Sequence, residues 1–388
     1  MDWDSKNKID RNVFWLGLTS FFNDWSSEMI FPILPAFMAE ILGIPKYLIG
    51  FIDGVAQSLA SILKVFSGYI SDKIGKRKML AVSGYSLSAI VKPFLAIANS
   101  WLAVFSVRVG DRIGKGIRTA PRDALIASSA EKDRTGRSFG FHRAMDTLGA
   151  LFGTLTVFIL MKFILGPQSH RTIFLLAVIP ALFGIMCIVF GTKEKRQNTQ
   201  TKKLKFSWRT LPKKLRLLIM ATFIFGVGNY TFTFFLLRIR EMGIAMALIP
   251  LVYLLYNIVY FAVSYPAGIW ADKIGKKTVY NIGLVMYIFT ALGMAFLNAS
   301  VWAWILMAIY GLHMGFTNAT ARALVSDYSP EDIRGTALGM YHTGIGIADL
   351  PAGLLAGTLW ELFSPKVVFS TGAILTVIAL VIIISIRE

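Results

Sequence analysis

Apolar runs of bilayer-spanning length recur twelve times along these 388 residues, roughly at 12–41, 46–70, 79–98, 101–126, 138–162, 172–191, 217–237, 245–270, 278–297, 301–326, 337–360 and 366–386. About 20 such residues suffice for a helix to cross the hydrocarbon core. Inside that core each backbone N–H and C=O must find a partner within the protein, so runs of this length fold as helices. The expectation is an all-α integral membrane protein with twelve transmembrane helices. Only 16% of the residues are charged, against about 25% in a soluble domain.

The gaps between runs alternate in charge. Asp72 to Lys78, Lys132 to Arg137, Lys193 to Arg216, Asp272 to Lys277 and the pair Arg334 and Arg387 are basic. The other gaps are short and poorly charged. Basic loops mark the cytoplasmic side, which places both termini inside and the protein in the cytoplasmic (inner) membrane. The same bias accounts for the net charge of +18 without a nucleic-acid partner. The longest gap lies at the midpoint, so the chain divides into an N-terminal six-helix bundle at 1–192, a basic linker at 193–216 and a C-terminal six-helix bundle at 217–388. The linker carries Phe206, Trp208 and Leu211 among its cations and suits the anionic inner leaflet. The N-terminus has mixed charge and no cleavage signal. The single cysteine, Cys187, excludes a disulfide framework.

The halves repeat. Gly68-Tyr-Ile-Ser-Asp72-Lys73-Ile-Gly75-Lys76-Arg77 is echoed about 200 residues later by Gly268-Ile-Trp-Ala-Asp272-Lys273-Ile-Gly275-Lys276-Lys277. Ala124 through Gly140 is echoed by Ala323 through Gly339 at nearly the same offset. This loop resembles the one between helices two and three of the major facilitator superfamily, G-x-x-x-D-[RK]-x-G-[RK]-[RK]. Arg112 through Gly116 resembles that family's R-x-x-Q-G, with Lys115 in place of glutamine. The resemblance implies two pseudo-symmetric six-helix bundles, secondary active transport by alternating access, and a monomer. It also implies that Gly68, Asp72, Lys73, Gly75, Lys76, Asp272 and Gly275 form a conformational latch. Gly149 and Gly153 lack the proline of the family's antiporter signature, which leaves the direction of transport open.

The fourth run is the most polar. Arg108, Asp111, Lys115, Arg118 and Arg122 recur at steps of three or four, with Arg112 one turn after Arg108, so they share a helix face. Each charge exposed to the bilayer centre costs ~3 kcal/mol, so this face must line a polar cavity. In the first run Asp24 and Glu28 stand at i and i+4, and Asp24 lies about 18 Å from the helix start at 1.5 Å per residue. Arg112 lies at a similar depth. A carboxylate beside an arginine holds its proton differently once the pair is parted or dried out. Asp24, Glu28 and Arg112 are therefore the expected proton-coupling residues.

Substrate-binding candidates are Arg108, Asp111, Lys115, Asp53, His142, Asp146, Asn229, Tyr253 and Asn257. Arg118, Arg122 and Asp123 read as a cytoplasmic gate. His142 and Asp146 share a helix face, which suits a proton relay or a metal, but no metal site or cofactor is expected. No phosphate-cradling loop ending in Lys-Ser/Thr is present, and nothing suggests an enzyme. The expected function is proton-coupled export of a small organic molecule. An organic-anion transporter using the cationic face is the alternative, followed by a metal-ion carrier or a non-transporting membrane receptor.

Overall fold

The structure is a computed structural model that describes residues 9–129, 135–194, 211–330 and 334–386. Among these residues every regular element is a helix. In chain order they are α1 (Arg11–Ile30), α2 (Leu34–Ala36), α3 (Lys46–Ile74), α4 (Arg77–Val91), α5 (Trp101–Ser129), α6 (Thr135–Ile159), α7 (His170–Leu176), α8 (Val178–Met186), α9 (Lys213–Gly228), α10 (Phe232–Glu241), α11 (Ile249–Ile274), α12 (Lys276–Phe296), α13 (Ser300–Asp327), α14 (Arg334–Leu362) and α15 (Pro365–Ser385). Ten segments among the described residues are long and apolar enough to cross a membrane. The two more polar passes, α1 with α2 and α5, complete the twelve. They are also the two that carry Asp24 and the cationic face.

Several runs are broken where their sequence forces it. Pro32 and Pro35 follow α1, and the chain resumes as α2 and a π-helical turn at Phe37–Ile41. Pro93 removes a helical N–H, and α4 passes into a 3₁₀ segment at Lys92–Ile97. The run at 217–237 is two helices, because Asn229 to Thr231 leave the helical conformation between α9 and α10. Gly75 and Gly275 hold φ of 67° and 94°, a left-handed turn that glycine takes without steric cost. Each reverses the chain within one or two residues, from α3 into α4 and from α11 into α12.

The chain packs as two compact units, one of residues 1–31 with 59–202 and one of 32–58 with 203–388. The first contains α1, α4 to α8 and the later part of α3. In it α1 packs chiefly on α6, and α4 on α5. The α4–α5 contact is a glycine crossing: Gly84 and Gly114 each lie so close to the other helix that a Cβ would strike its backbone. Small residues permit such approach between membrane helices.

The second unit differs from the sequence division in taking residues 32–58. A glycine seam explains this. Gly50 and Gly54 of α3 meet Gly353 and Leu350 of α14 backbone to backbone, and Gly357 meets Lys46 and Tyr47. Ser58 Oγ donates to the Gly346 carbonyl at 2.6 Å, the Lys46 N–H donates to Glu361 at 2.9 Å, and Arg240 pairs with Glu40 at 2.8 Å. The linker also begins later than the sequence indicates. The Lys193 N–H donates to Asn12 Oδ1 at 2.8 Å, and Glu194 accepts from the N–H groups of Arg77 and Lys78 at 2.9–3.1 Å. Both residues thus belong to the first unit, where the Glu194 carboxylate caps the positive end of α4. Residues 195–210 lie outside the described residues.

Candidate functional site

The first unit gathers charge from four elements. Along α5, Arg108, Arg112 and Arg118 are buried, and Asp111, Lys115 and Arg122 are partly buried. The glycine crossing brings α4 close enough for Arg118 Nη1 to donate to Ser88 Oγ at 2.6 Å, while its guanidinium stands 4.7 Å from the centre of the Tyr85 ring. Ser88 in turn donates to the Asp111 carbonyl at 3.1 Å. Arg112 Nε lies 3.8 Å from Asp111 Oδ2.

Ser20 of α1 is a junction. Its hydroxyl lies 2.7 Å from His142 Nε2 of α6 and 3.4 Å from the Tyr85 hydroxyl of α4, and it accepts from Arg122 Nη1 at 3.4 Å. His142 Nδ1 is 3.6 Å from Asp146 Oδ2, so the i, i+4 pair read from the sequence is formed. Arg122 also donates from Nε and Nη2 to its neighbour Asp123 at 2.8–2.9 Å. Arg122 and Asp123, expected at a gate, therefore adjoin the charged network, and Arg118 is packed against α4.

Asp24 belongs to the same cluster. It accepts from Asn23 Nδ2 at 3.2 Å and lies within electrostatic reach of Asp146, Lys115, Arg118 and Arg122. Charges on α1, α5 and α6 thus act on one another. Asp111 Oδ1 and Asp146 Oδ1 are buried without a hydrogen-bond donor among the described residues. A carboxylate oxygen in that position is satisfied by a proton, a water or a bound ligand. Such intramembrane ionisable groups mark ion and substrate pathways.

Lys92 was missed by the sequence reading. It is 2% exposed, at the start of the 3₁₀ segment, and donates from Nζ to Ser26 Oγ and Ser27 Oγ at 2.9 Å each. Its charge acts on Asp111 and Asp24. The signal was available: a lone lysine within the apolar run 79–98 is a functional candidate by its depth alone.

Four substrate-binding candidates, Asp53, Asn229, Tyr253 and Asn257, lie in the second unit. Asp53 is buried there, and Thr233 Oγ1 donates to it. Asn257 turns its carboxamide back to the Tyr253 carbonyl of its own helix at 3.1 Å. Tyr253 joins Phe232, Tyr256, Tyr310 and His313 in a buried aromatic group, with Tyr310 donating to Asn229 Oδ1 at 3.1 Å. In this group His313 Nδ1 bonds the Gly283 carbonyl at 2.7 Å.

In the latch loops, Lys73, Asp272 and Lys273 are exposed and the two glycine turns are formed. Gly68 faces Ala120 of α5 at contact distance. The Asp72 side chain lies outside the described residues. Lys276 pairs with Asp327 at 2.7 Å within the second unit. Among the described residues no three His, Cys, Asp or Glu side chains converge as a metal would require.

The family model described as Major Facilitator Superfamily matches residues 16–348 and 218–388. The uncharacterised MFS-type transporter MJ1317 of Methanocaldococcus jannaschii is 39% identical over 384 residues, covering 97% of this chain and 95% of that protein. The inner membrane transport protein YajR of Escherichia coli is 26% identical over 388 residues, covering 93% of this chain and 80% of that protein. A crystal structure of a point mutant of the nucleoside transporter NupG shares the fold, with a TM-score of 0.83 at 15% identity and coverage of 97% of this chain and 100% of that one.

Proposed function

We propose that this chain, which belongs to the Major Facilitator Superfamily, couples proton movement to the transport of a small organic molecule through the charged cluster of its first unit. It is a membrane transporter and not an enzyme. The observation that carries the coupling is Asp24, held in a membrane helix within electrostatic reach of Asp146, Lys115, Arg118 and Arg122. Any rearrangement that alters those neighbours alters the carboxylate's hold on a proton. Asp24 is the proton carrier in this reading, Asp146 with His142 and Ser20 is its relay, and Arg112 with Lys115 tunes it. In the exporting sense expected from the sequence, proton entry drives solute exit. Two six-helix halves, divided by the basic linker, move through alternating access, and the basic turns at Gly75 and Gly275 face the cytoplasm with both chain ends.

The test uses purified protein in liposomes loaded with a pH-sensitive dye. A panel of organic anions and lipophilic cations is added on one side. A solute that moves protons in the wild type and moves none in Asp24→Asn supports the reading. Solute flux that leaves internal pH unchanged contradicts it.

An anionic solute is the second reading, and Lys92 favours it. With Lys92 added to Arg108, Arg112, Lys115, Arg118 and Arg122, the cations outnumber the carboxylates Asp24, Asp111, Asp123 and Asp146 that act on them. Guanidinium groups bind carboxylate or phosphate in a two-point geometry. Stabilisation of the purified protein by organic anions, lost in Arg112→Ala, would select this reading.

A further inference from the structure

The second unit carries an apolar groove that opens to its surface. A groove of about 410 Å³ runs between α12 and α13, lined by Met286, Leu292, Phe296, Trp302, Ile305 and Ile309 among others. Gly293 lies beneath it, and the absence of a side chain there lets Leu306 lie against α12. Leu292, Phe296, Trp302 and Ile305 are 39–53% exposed, so the groove opens sideways into the membrane. From Phe296 at its mouth to Met286 at its far end it spans eleven helical residues, about 16 Å at ~1.5 Å each. That is close to one leaflet, half of a ~30 Å hydrocarbon core. Trp302 stands at the mouth, at the depth where tryptophan marks the membrane surface.

A cation guards this mouth. Lys366, at the start of α15, is exposed and holds its ammonium 4.8 Å from the centre of the Phe296 ring. Among the described residues it has no carboxylate partner. The first unit has the duplicated counterpart, a groove of about 370 Å³ lined by Val91, Phe94, Ile97 and Val107 among others. Its cation is Arg171, at the start of α7. That guanidinium is committed to protein, with Nη1 donating to the Ala96 carbonyl at 2.6 Å and Nη2 to Asn99 Oδ1 at 2.8 Å. The pair of grooves is therefore alike in shape and unlike in charge available at the rim.

We propose that the α12–α13 groove is a phospholipid site, with one acyl chain lying in the groove and the headgroup phosphate held by Lys366. The lipid belongs to the leaflet opposite the basic turn at Gly275. Apolar length fixes the chain, and the unpartnered ammonium at the surface supplies the charge complement that a phosphodiester requires.

The experiment titrates dioleoyl phosphatidylglycerol into delipidated wild-type protein in a maltoside detergent and follows thermal unfolding. The site predicts a saturable rise in Tm. Dioleoylglycerol, which has the same chains without phosphate, should need at least tenfold more lipid for half the effect, and inorganic phosphate should have none. Lys366→Glu should raise the half-saturating concentration at least tenfold, and Lys366→Arg should restore it. Because Lys366 is exposed and, among the described residues, bonds no protein oxygen, neither change disturbs buried packing. Ile305→Trp, which fills the groove, should abolish saturation. An equal response to dioleoylglycerol, or an unchanged midpoint in Lys366→Glu, overturns the proposal.

Discussion

Lys92 donates to Ser26 Oγ at 2.9 Å, a bond that ties the break after α4 to the C-terminal part of α1. With the second bond to Ser27, the ammonium is fixed on the same helix as Asp24. The charged cluster therefore reaches beyond α5, whose sequence announces it, and includes an element that otherwise reads as lipid-facing.

Lys92 acts on Asp111 through space, without an ion-pair contact. Groups in one charge network couple by about 0.5–3 kcal/mol. Lys92→Met should destabilise the protein by roughly that amount, and Asp111→Asn by a similar amount. The double variant should recover more than half of the loss. Thermal unfolding of the four proteins in one detergent closes this cycle, and strict additivity would disprove the coupling.

Glu194 caps α4 with both carboxylate oxygens. Losing a helix cap costs about 0.5–2 kcal/mol. Glu194→Gln keeps one acceptor and loses the charge, so about 1 kcal/mol of stability should disappear. The loss should shrink as salt is raised, because the charge near the helix end is screened. Unfolding at two ionic strengths measures both effects.

The Gly84–Gly114 crossing positions Arg118 against Ser88 and Tyr85. Overpacking such a contact costs about 1–3 kcal/mol. Gly84→Val should lower the yield of monodisperse protein on size exclusion. Gly140→Val should be tolerated, because no atom lies within 4 Å of the Cβ position there.

These residues separate what a sequence states from what it withholds. The helices, their proline breaks and the glycine turns follow from local chemistry, so Pro32, Pro93, Gly75 and Gly275 were readable. The cationic face of α5 was readable because its steps of three and four keep one side polar. The His142–Asp146 pair was readable for the same reason. The bond from Thr233 to Asp53 was not readable, because a helix count gives depth and not rotation. The aromatic packing of Tyr253 and the bond from Asn257 to its own helix were not readable either. Ser20, Ser26, Ser27 and Ser88 gave no signal, since a serine becomes a junction only through what packs against it. The glycine seam that draws residues 32–58 into the second unit depends on α14, some 300 residues away in sequence.

The most direct measurement compares gradient-driven solute accumulation with solute exchange at equilibrium in liposomes, for wild type and Asp24→Asn. A carboxylate that carries the driving proton is needed for accumulation and dispensable for exchange of solute against solute. The account predicts that Asp24→Asn loses accumulation driven by the pH gradient and retains exchange within a fewfold of wild type. Accumulation that survives in Asp24→Asn at the wild-type level would contradict it.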